Sequence, residues 1–296
     1  MLVFVGALTA GATGAFFSDE ETSTGNVLAA GAIDLGIDNT SYYNGVSNAS
    51  TTWSISYDLD DGNGPSTDGT YRFFDFYDVK PGDYGEDTIS FHITDNDSWL
   101  CTDIVWTVND DVTCTEPEND ADAENGGCEE PNENLNDGDL AQEINFLFWA
   151  DDGDNVLEDG EQIVGGGPIN GLAFGSTTTF ALVDSDEHNL GGENGEPLTG
   201  AETHYLGKAW CFGAISEAPL AQSDFANDGA TPRAPNQDND GINGAGTPED
   251  GGFHCDGAAS ISNASQTDRV EGDITFRAVQ SRNNAGFQCQ VPDFVS

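Results

Sequence analysis

Carboxylates are concentrated in one short segment, Asp151 to Glu161, where six of the eleven residues are acidic. Hard cations such as Ca²⁺ take about six to eight oxygen ligands, many of them carboxylates, from flexible loops that contain glycine and asparagine. The segment is not an EF-hand, because Gly153 and Val156 occupy positions where that motif has a ligand and its turn glycine. A solvated acidic loop without an ion is the alternative. The predicted Ca²⁺ ligands are Asp151, Asp152, Asp154, Glu158, Asp159 and Glu161.

A second candidate cation site lies between Asn236 and Ile242. There Asp238 and Asp240 alternate with other oxygen-bearing side chains ahead of a glycine, as in the first half of an EF-type loop. The twelfth position is Thr247 and not the glutamate of that motif. Asp238 and Asp240 are therefore candidate Ca²⁺ ligands, and a solvated loop is again the alternative.

The histidines do not form a recognisable catalytic pattern. None lies in a His-Glu-x-x-His segment, which would place two metal ligands and a general base on one helical face. No Gly-x-Ser-x-Gly nucleophile elbow is present. Pairs of acids of the glycosidase type carry no information in a chain with 54 acidic residues. No catalytic residue is therefore assigned. The histidines considered are His92, His188, His204 and His254.

Charge is the most extreme property of the chain. It has 54 Asp and Glu against 7 Lys and Arg, which gives a formal net charge of −47, and its only lysines are Lys80 and Lys208. Such a surface repels itself at low salt, and molar salt shortens the screening length to about 3 Å. With 36% hydrophobic residues and acids spread along the chain, the composition indicates a folded, salt-adapted protein. It argues against nucleic acid as a partner, because phosphate contacts need a basic surface.

The first residues have the pattern of a secretory signal peptide. An apolar run from Leu2 to Ala10 leads into small residues from Gly11 to Ala15, which is typical of an export signal and its cleavage site. The usual basic residues before the run are missing. We expect a signal peptide over 1–14, a mature chain over 15–296 and no transmembrane anchor in the mature chain. The protein is therefore expected to be secreted, either extracellular or at the cell surface.

An even number of cysteines behind an export signal favours disulfides, and the absence of a Cys-x-x-Cys pair argues against a thiolate zinc site. The cysteines are Cys101, Cys114, Cys128, Cys211, Cys255 and Cys289. Spacing does not fix their pairing. We expect a local Cys114–Cys128 bridge and a Cys211–Cys255 bridge across a long insertion. Four Asn-x-Ser sequons are compatible with surface glycosylation, at Asn39, Asn48, Asn96 and Asn263.

Alternation of apolar and polar residues recurs along the chain and predicts β-strands. Besides the strands that carry the core faces given below, strands are expected over 104–108 and 178–183. Clusters of Gly, Asn and Asp between the strands predict turns. The pattern indicates one all-β, antiparallel β-sandwich domain with long acidic insertions near 110–140 and 220–255. The clearest core faces are Ile89, Phe91 and Ile93; Ile144, Phe146 and Phe148; and Val270, Ile274, Phe276 and Ala278.

Two features together resemble the TasA/camelysin family. The first is the sequence Phe-Phe-Ser-Asp at 16–19, followed by small residues over 29–32 and a short alternating strand. The second is Lys-Pro-Gly-Asp at 80–83, where Pro and Gly suit the two central positions of a tight turn before a strand. The resemblance extends from residue 12 to residue 108, and the later segments 209–213 and 280–284 are similar to haloarchaeal secreted members.

This resemblance implies a jelly-roll-like sandwich, export through a dedicated signal peptidase, and a structural subunit of an extracellular filament or matrix fibre. We expect head-to-tail self-assembly by donor-strand exchange, in which segment 15–30 completes the sheet of the next subunit. Its contact residues would be Phe16, Phe17, Val27 and Leu28, and Ca²⁺ and disulfides would stabilise the fibre. Pairing of that strand within its own subunit is an alternative. A camelysin-like secreted metallopeptidase and a monomeric cell-surface binding module are the alternative functions.

Overall fold

The structure is a computed structural model, and it describes residues 34–113, 115–121, 138–221, 248–258 and 263–290. Short α-helices, α1 (Glu116–Ala121) and α2 (Leu140–Glu143), and the 3₁₀ turns Ile169–Gly171 and Pro248–Gly251 lie in connections. No helix within these ranges is long and apolar enough to cross a membrane. The strands are β1 (Leu35–Tyr43), β2 (Val46–Ser47), β3 (Trp53–Ser56), β4 (Tyr84–Ile93), β5 (Ser98–Asp111), β6 (Ile144–Asp151), β7 (Ile163–Pro168), β8 (Thr177–Val183), β9 (Thr203–Phe212), β10 (Ala214–Glu217), β11 (Phe253–Asp256) and β12 (Asp268–Gln280).

The strands form two facing antiparallel sheets and a hairpin. The larger sheet has seven strands in the order β2-β1-β4-β9-β6-β7, with β3 also paired to β1. The smaller sheet has three strands in the order β12-β5-β8, and β10 pairs with β11. The chain passes between the sheets from β4 to β5, from β5 to β6, from β7 to β8 and from β8 to β9. This is the all-β antiparallel sandwich that the alternating sequence predicted.

Alternating residues build the interior between the sheets. On β4, Ile89, Phe91 and Ile93 lie on one face and are at most 2% exposed, as their period of two predicts. They form one cluster with Leu100 and Leu182 of the smaller sheet. The two sheets therefore bury a shared apolar layer, which removes these side chains from water.

Aromatic rings fill the rest of the interior. Trp106 of the smaller sheet stacks on Phe146 of the larger one, with 6.3 Å between ring centroids. The long connection between β3 and β4 adds Phe74, edge-on to Phe146 at 5.2 Å, and Phe73, edge-on to Phe276 at 5.7 Å. This connection therefore places Phe73 and Phe74 in the interior between the sheets.

The outer face of the larger sheet carries a second layer, which we call the cover: residues 152–162, the 3₁₀ turn before β11, and the β10–β11 hairpin. Trp149 of the sheet packs there with Leu157 and Phe253 of the cover, in a cluster separate from the interior. The Leu157 N–H donates to the carbonyl of Gly251 at 3.0 Å. The cover is thus joined both by apolar contact and by backbone hydrogen bonds.

Disulfides connect these layers. Cys211–Cys255, which was expected from the sequence, joins β9 to the cover with a Cα–Cα distance of 5.5 Å. Cys101–Cys289 joins β5 to the segment after β12, with a Cα–Cα distance of 5.7 Å. The expected Cys114–Cys128 bridge lies outside the described residues.

The turn from Lys80 to Asp83 has the geometry predicted from its sequence. The Asp83 N–H donates to the Lys80 carbonyl at 2.8 Å. Gly82 has a φ of +89°, which the second central position of a type II turn requires. The Asp83 carboxylate also accepts a hydrogen bond from the Tyr43 hydroxyl at 2.6 Å, so the turn is anchored to β1.

One sequon lies inside the fold. Asn39 is 0% exposed, and its side-chain amide donates to Asp87 Oδ2 at 3.2 Å. A glycan has no room there, so the surface position expected for Asn39 is incorrect. Asn48 and Asn96 are partly exposed and Asn263 is exposed, which leaves glycosylation at these positions a prediction.

Candidate functional sites

Three of the predicted cation ligands converge on the outer face of the larger sheet. Oxygen atoms of Asp151, Asp152 and Glu161 lie within 4.8 Å of one another, at the end of β6. The Glu161 carboxylate accepts hydrogen bonds from the backbone N–H of Asp152 at 3.1 Å and of Glu158 at 2.8 Å. These bonds close the loop and bring Glu161 back to the end of the strand.

Asp151 is held from the sheet side. It is 8% exposed, and its Oδ2 accepts hydrogen bonds from Thr88 Oγ1 at 2.9 Å and from the Asn155 N–H at 3.2 Å. Its Oδ1 is buried and has no hydrogen-bond partner in the described part of the chain. Burying a carboxylate oxygen without a partner costs free energy, so this oxygen is poised to accept a ligand.

Burial is the main cause of the raised pKa values in this group. It raises the pKa of Asp151 to about 6, although the hydrogen bond from Thr88 acts in the opposite direction. Burial also raises the pKa of Glu161 to about 9, and the negative charge of Asp151 adds to that shift. An adjacent cation would favour the ionised form of both groups.

The other predicted ligands do not join this group. Asp154 and Glu158 are buried, and Asp159 is exposed. Asp154 Oδ1 accepts a hydrogen bond from the Val156 N–H at 3.0 Å, which stabilises a local turn. Asp238 and Asp240 lie outside the described residues, as do the assembly residues Phe16, Phe17, Val27 and Leu28.

A second group of acids lies at one end of the smaller sheet. Oxygens of Asp111, Glu118 and Asp268 lie within 4.8 Å of one another. Asp268 Oδ2 accepts hydrogen bonds from the backbone N–H of Asp139 at 2.5 Å and of Leu140 at 2.9 Å. Burial, followed by a hydrogen bond with Asp111, raises the pKa of Asp268 to about 8. Asp268 Oδ1 is buried without a hydrogen-bond partner among the described residues, and a neutral Asp268 carboxyl group can share its proton with Asp111.

β7 and β8 are edge strands of the two sheets. Each of these consecutive strands is the last of its sheet in the described chain, and residues 169–176 connect them. On β8, Phe180 pairs with Thr102, and Thr178 pairs with Ile104, which packs on an interior cluster. Phe180 therefore faces the interior, yet it is 40% exposed. An inward-facing phenylalanine at an edge strand indicates an incompletely covered core.

Two glycines lie on the inward face of β7. Gly165 pairs with Phe148, and Gly167 pairs with Phe146. Cross-strand partners present their side chains on the same face of a sheet, and both phenylalanines pack on interior clusters. No described heavy atom lies within 4 Å of the position that a β-carbon would occupy on either glycine. We call these two strand edges, with Gly165 and Gly167 on the inward face of β7 and Phe180 on the inward face of β8, the β7–β8 gap.

Sequence reasoning missed the β7–β8 gap. The run of glycines at 165–167 before Pro168 was the available signal, because glycine in a strand leaves a face without side chains and often marks a close approach of another backbone. Which edge the run occupies depends on the strand order. That order is a property of the tertiary structure.

The histidines contribute to neither acidic group in the described residues. His92 contacts Asp38 at 2.5 Å, and His254 contacts Glu249 at 2.9 Å. The pKa of His188 is lowered by burial. In comparisons with known proteins, no family model and no curated protein matches the chain.

Proposed function

We propose that this chain is the subunit of an extracellular filament, and that the N-terminal segment of one copy completes the sandwich of the next. The observation that supports this proposal is the β7–β8 gap. Phe180 faces the interior but is 40% exposed, and on the edge strand of the other sheet no described atom lies within 4 Å of the β-carbon positions of Gly165 and Gly167. A strand added to an open sheet edge gains main-chain hydrogen bonds and places alternate side chains into such a space.

The proposed occupant is segment 15–30 of a second copy. In extended form a strand rises about 3.3 Å per residue, so this segment is long enough to run along all of β7 or β8. Adjacent side chains of an extended strand point to opposite faces, so one of Phe16 and Phe17 would be the apolar anchor against Phe180. Aromatic side chains dominate the energetics of such contacts. The small residues that follow would allow close approach to the glycines of β7.

The geometry of such a contact favours a fibre. The donor segment and the β7–β8 gap are different surfaces, so pairing between copies is heterologous and does not close by itself. The disulfides of the sandwich favour an oxidising compartment outside the cytoplasm. The acidic surface suits fibre elongation at high salt, because salt screens the repulsion between subunits. The resemblance to the TasA/camelysin family agrees with this proposal, including its haloarchaeal members.

The test is negative-stain microscopy of residues 15–296 at multimolar salt, beside a variant without residues 16–19 and the variant Phe180→Asp. We expect fibres from the parent protein and dispersed particles from both variants. Tyr77→Asp is the matched control, because Tyr77 is 80% exposed and belongs to neither β7 nor β8. Fibres from either the variant without residues 16–19 or Phe180→Asp would overturn the proposal.

A mixing experiment separates exchange between copies from pairing within one copy. The variant without residues 16–19 keeps the gap, so a synthetic peptide of residues 15–30 should bind it with a stoichiometry near one. The same peptide should not bind the Phe180→Asp version of that variant. Pairing within the subunit would give a different result. The parent protein would then stay monomeric at every salt concentration, and the peptide would not bind to its gap.

A further inference from the structure

We propose that Asp151, Asp152 and Glu161 bind one hard divalent cation, Ca²⁺ in preference to Mg²⁺, and that this ion fastens the cover to the larger sheet. Two independent observations carry this inference. The carboxylate oxygens of the three residues converge within 4.8 Å. Separately, Asp151 is 8% exposed and its buried Oδ1 lacks a hydrogen-bond partner among the described residues. This inference stands independently of filament assembly.

The unpartnered oxygen sets this group apart from an ordinary acidic surface. Asp151 Oδ2 is occupied by Thr88 and Asn155, so only Oδ1 is left to bind a ligand. A buried carboxylate oxygen is stable when it is hydrogen-bonded, paired with a charge or bound to a metal. With Asp152 and Glu161 beside it, the available ligands are all carboxyl oxygens, and a bound hard cation would favour their ionised form.

The loop favours Ca²⁺ over Mg²⁺. Gly153 has a φ of +109° and Asn155 a φ of +68°, so the ligands come from an irregular turn and not from a rigid frame. Ca²⁺ accepts irregular oxygen coordination, whereas Mg²⁺ demands near-octahedral geometry and retains its water. Water and other oxygens of the loop can complete the larger coordination shell of Ca²⁺.

The position of the ligands couples the ion to the cover. Asp152 and Glu161 bracket Leu157, which is 1% exposed in the outer cluster. The Leu157 N–H donates to the Gly251 carbonyl at 3.0 Å, and the Leu157 carbonyl accepts from the Leu220 N–H at 3.0 Å. In the same loop, the Asp159 N–H donates to the Leu220 carbonyl at 2.8 Å. An ion that joins the two ends of the loop therefore fixes the segment that carries Leu157. Loss of the ion should loosen the cover and leave the interior between the sheets intact.

The experiment is Ca²⁺ titration of the full-length chain, stripped with a chelator and held at constant multimolar KCl. Isothermal titration calorimetry should give one Ca²⁺ per chain at this site and a Mg²⁺ affinity at least about tenfold weaker. Tb³⁺ luminescence provides a second readout, because the Tyr205 ring packs against Gly153 and can sensitise a bound lanthanide. Hydrogen exchange should show Ca²⁺-dependent protection in residues 152–162 and 248–256, and not in β4.

Asp152→Asn and Glu161→Gln should each weaken Ca²⁺ binding about tenfold or more, whereas Asp159→Asn should change it less than about twofold. Asp159 belongs to the same loop and is exposed, so it controls for the loss of one charge. Asp152 is also exposed, so Asp152→Asn keeps the test valid even if a change at buried Asp151 unfolds the chain. Equal effects of Asp152→Asn and Asp159→Asn would mean a diffuse ion atmosphere and would overturn the proposal, as would the absence of saturable Ca²⁺ binding.

Discussion

Lys208 Nζ lies 2.7 Å from Asp87 Oδ2 between the two sheets, and both side chains are 0% exposed. The Lys208 ammonium also donates to the Phe73 carbonyl at 2.9 Å and lies 3.9 Å from the centroid of the Phe74 ring. Burial lowers the pKa of Lys208, and the charge of Asp87 opposes that shift. One of the two lysines in the chain therefore neutralises a buried acid in the core.

Replacing Lys208 should destabilise the fold strongly. Lys208→Met leaves the Asp87 carboxylate buried without its counter-ion, which costs about 3–5 kcal/mol for an interior pair. The measurement is urea unfolding at constant high salt. Lys80→Met is the matched control, because Lys80 pairs with Asp78 in full contact with solvent, and it should leave the free energy of unfolding nearly unchanged. Equal losses in the two variants would contradict the buried pair.

The stability of the sandwich should fall with rising pH, in part because of Asp268. Its folded-state pKa is raised to about 8, whereas an unfolded aspartate titrates near about 3.9. The folded chain therefore binds more protons than the unfolded chain between these values, and its stability decreases as pH rises through that window. The variant Asp268→Asn has no titratable group at this position, so its free energy of unfolding should fall less as pH rises. Unfolding free energies measured across the window at constant salt test this.

Asp273→Asn controls for the charge change, since Asp273 is an exposed residue on the same strand. It should keep the pH dependence of the parent protein. If Asp268→Asn also keeps the parent slope, Asp268 does not retain its proton in the folded state.

Filling the β7–β8 gap should block assembly without unfolding the subunit. A leucine at Gly165 meets no described atom within 4 Å of its β-carbon, and replacing glycine in a strand removes about 0.5–1 kcal/mol of entropic cost. Gly165→Leu should therefore remain folded by circular dichroism but form no fibres under the microscope. Thr275→Leu adds apolar volume at an exposed position of β12 and should assemble normally. Normal fibres from Gly165→Leu would show that the gap is not the acceptor.

A methyl group at Gly207 should disturb the packing of Trp149 against the cover and lower the stability of the fold. Gly207 of β9 pairs with Trp149 of β6, and the Trp149 indole occupies the space of the missing β-carbon. Gly207→Ala forces the indole to move, and overpacking of this kind costs about 1–3 kcal/mol. Gly165→Ala should be neutral to slightly stabilising, because its β-carbon enters open space and alanine loses less entropy than glycine in a strand. Thermal unfolding followed by tryptophan fluorescence compares the two, and a neutral Gly207→Ala would mean that the indole is free to shift.

The strands β4, β5, β6, β8 and β12 followed from the sequence, as did the inward faces of β4, β6 and β12. Ile89, Phe91 and Ile93 alternate with polar residues, and a period of two assigns them to one face whatever the partner strands are. The turn at Lys80–Asp83 was equally local, because proline and glycine restrict φ at defined positions. Local backbone geometry decides such features, so neighbouring residues suffice to predict them.

The tertiary structure decided which side chains meet. Composition predicted a cation loop with six acids, but only the hydrogen bonds of Glu161 to the backbone select Asp151, Asp152 and Glu161 as a group. The burial of Asn39, the charge of Lys208 beside Asp87 and the exposure of inward-facing Phe180 depend on strand order. Strand order joins residues distant along the chain. Single-sequence patterns determine the face of each strand, but the packing of all the strands determines its neighbours.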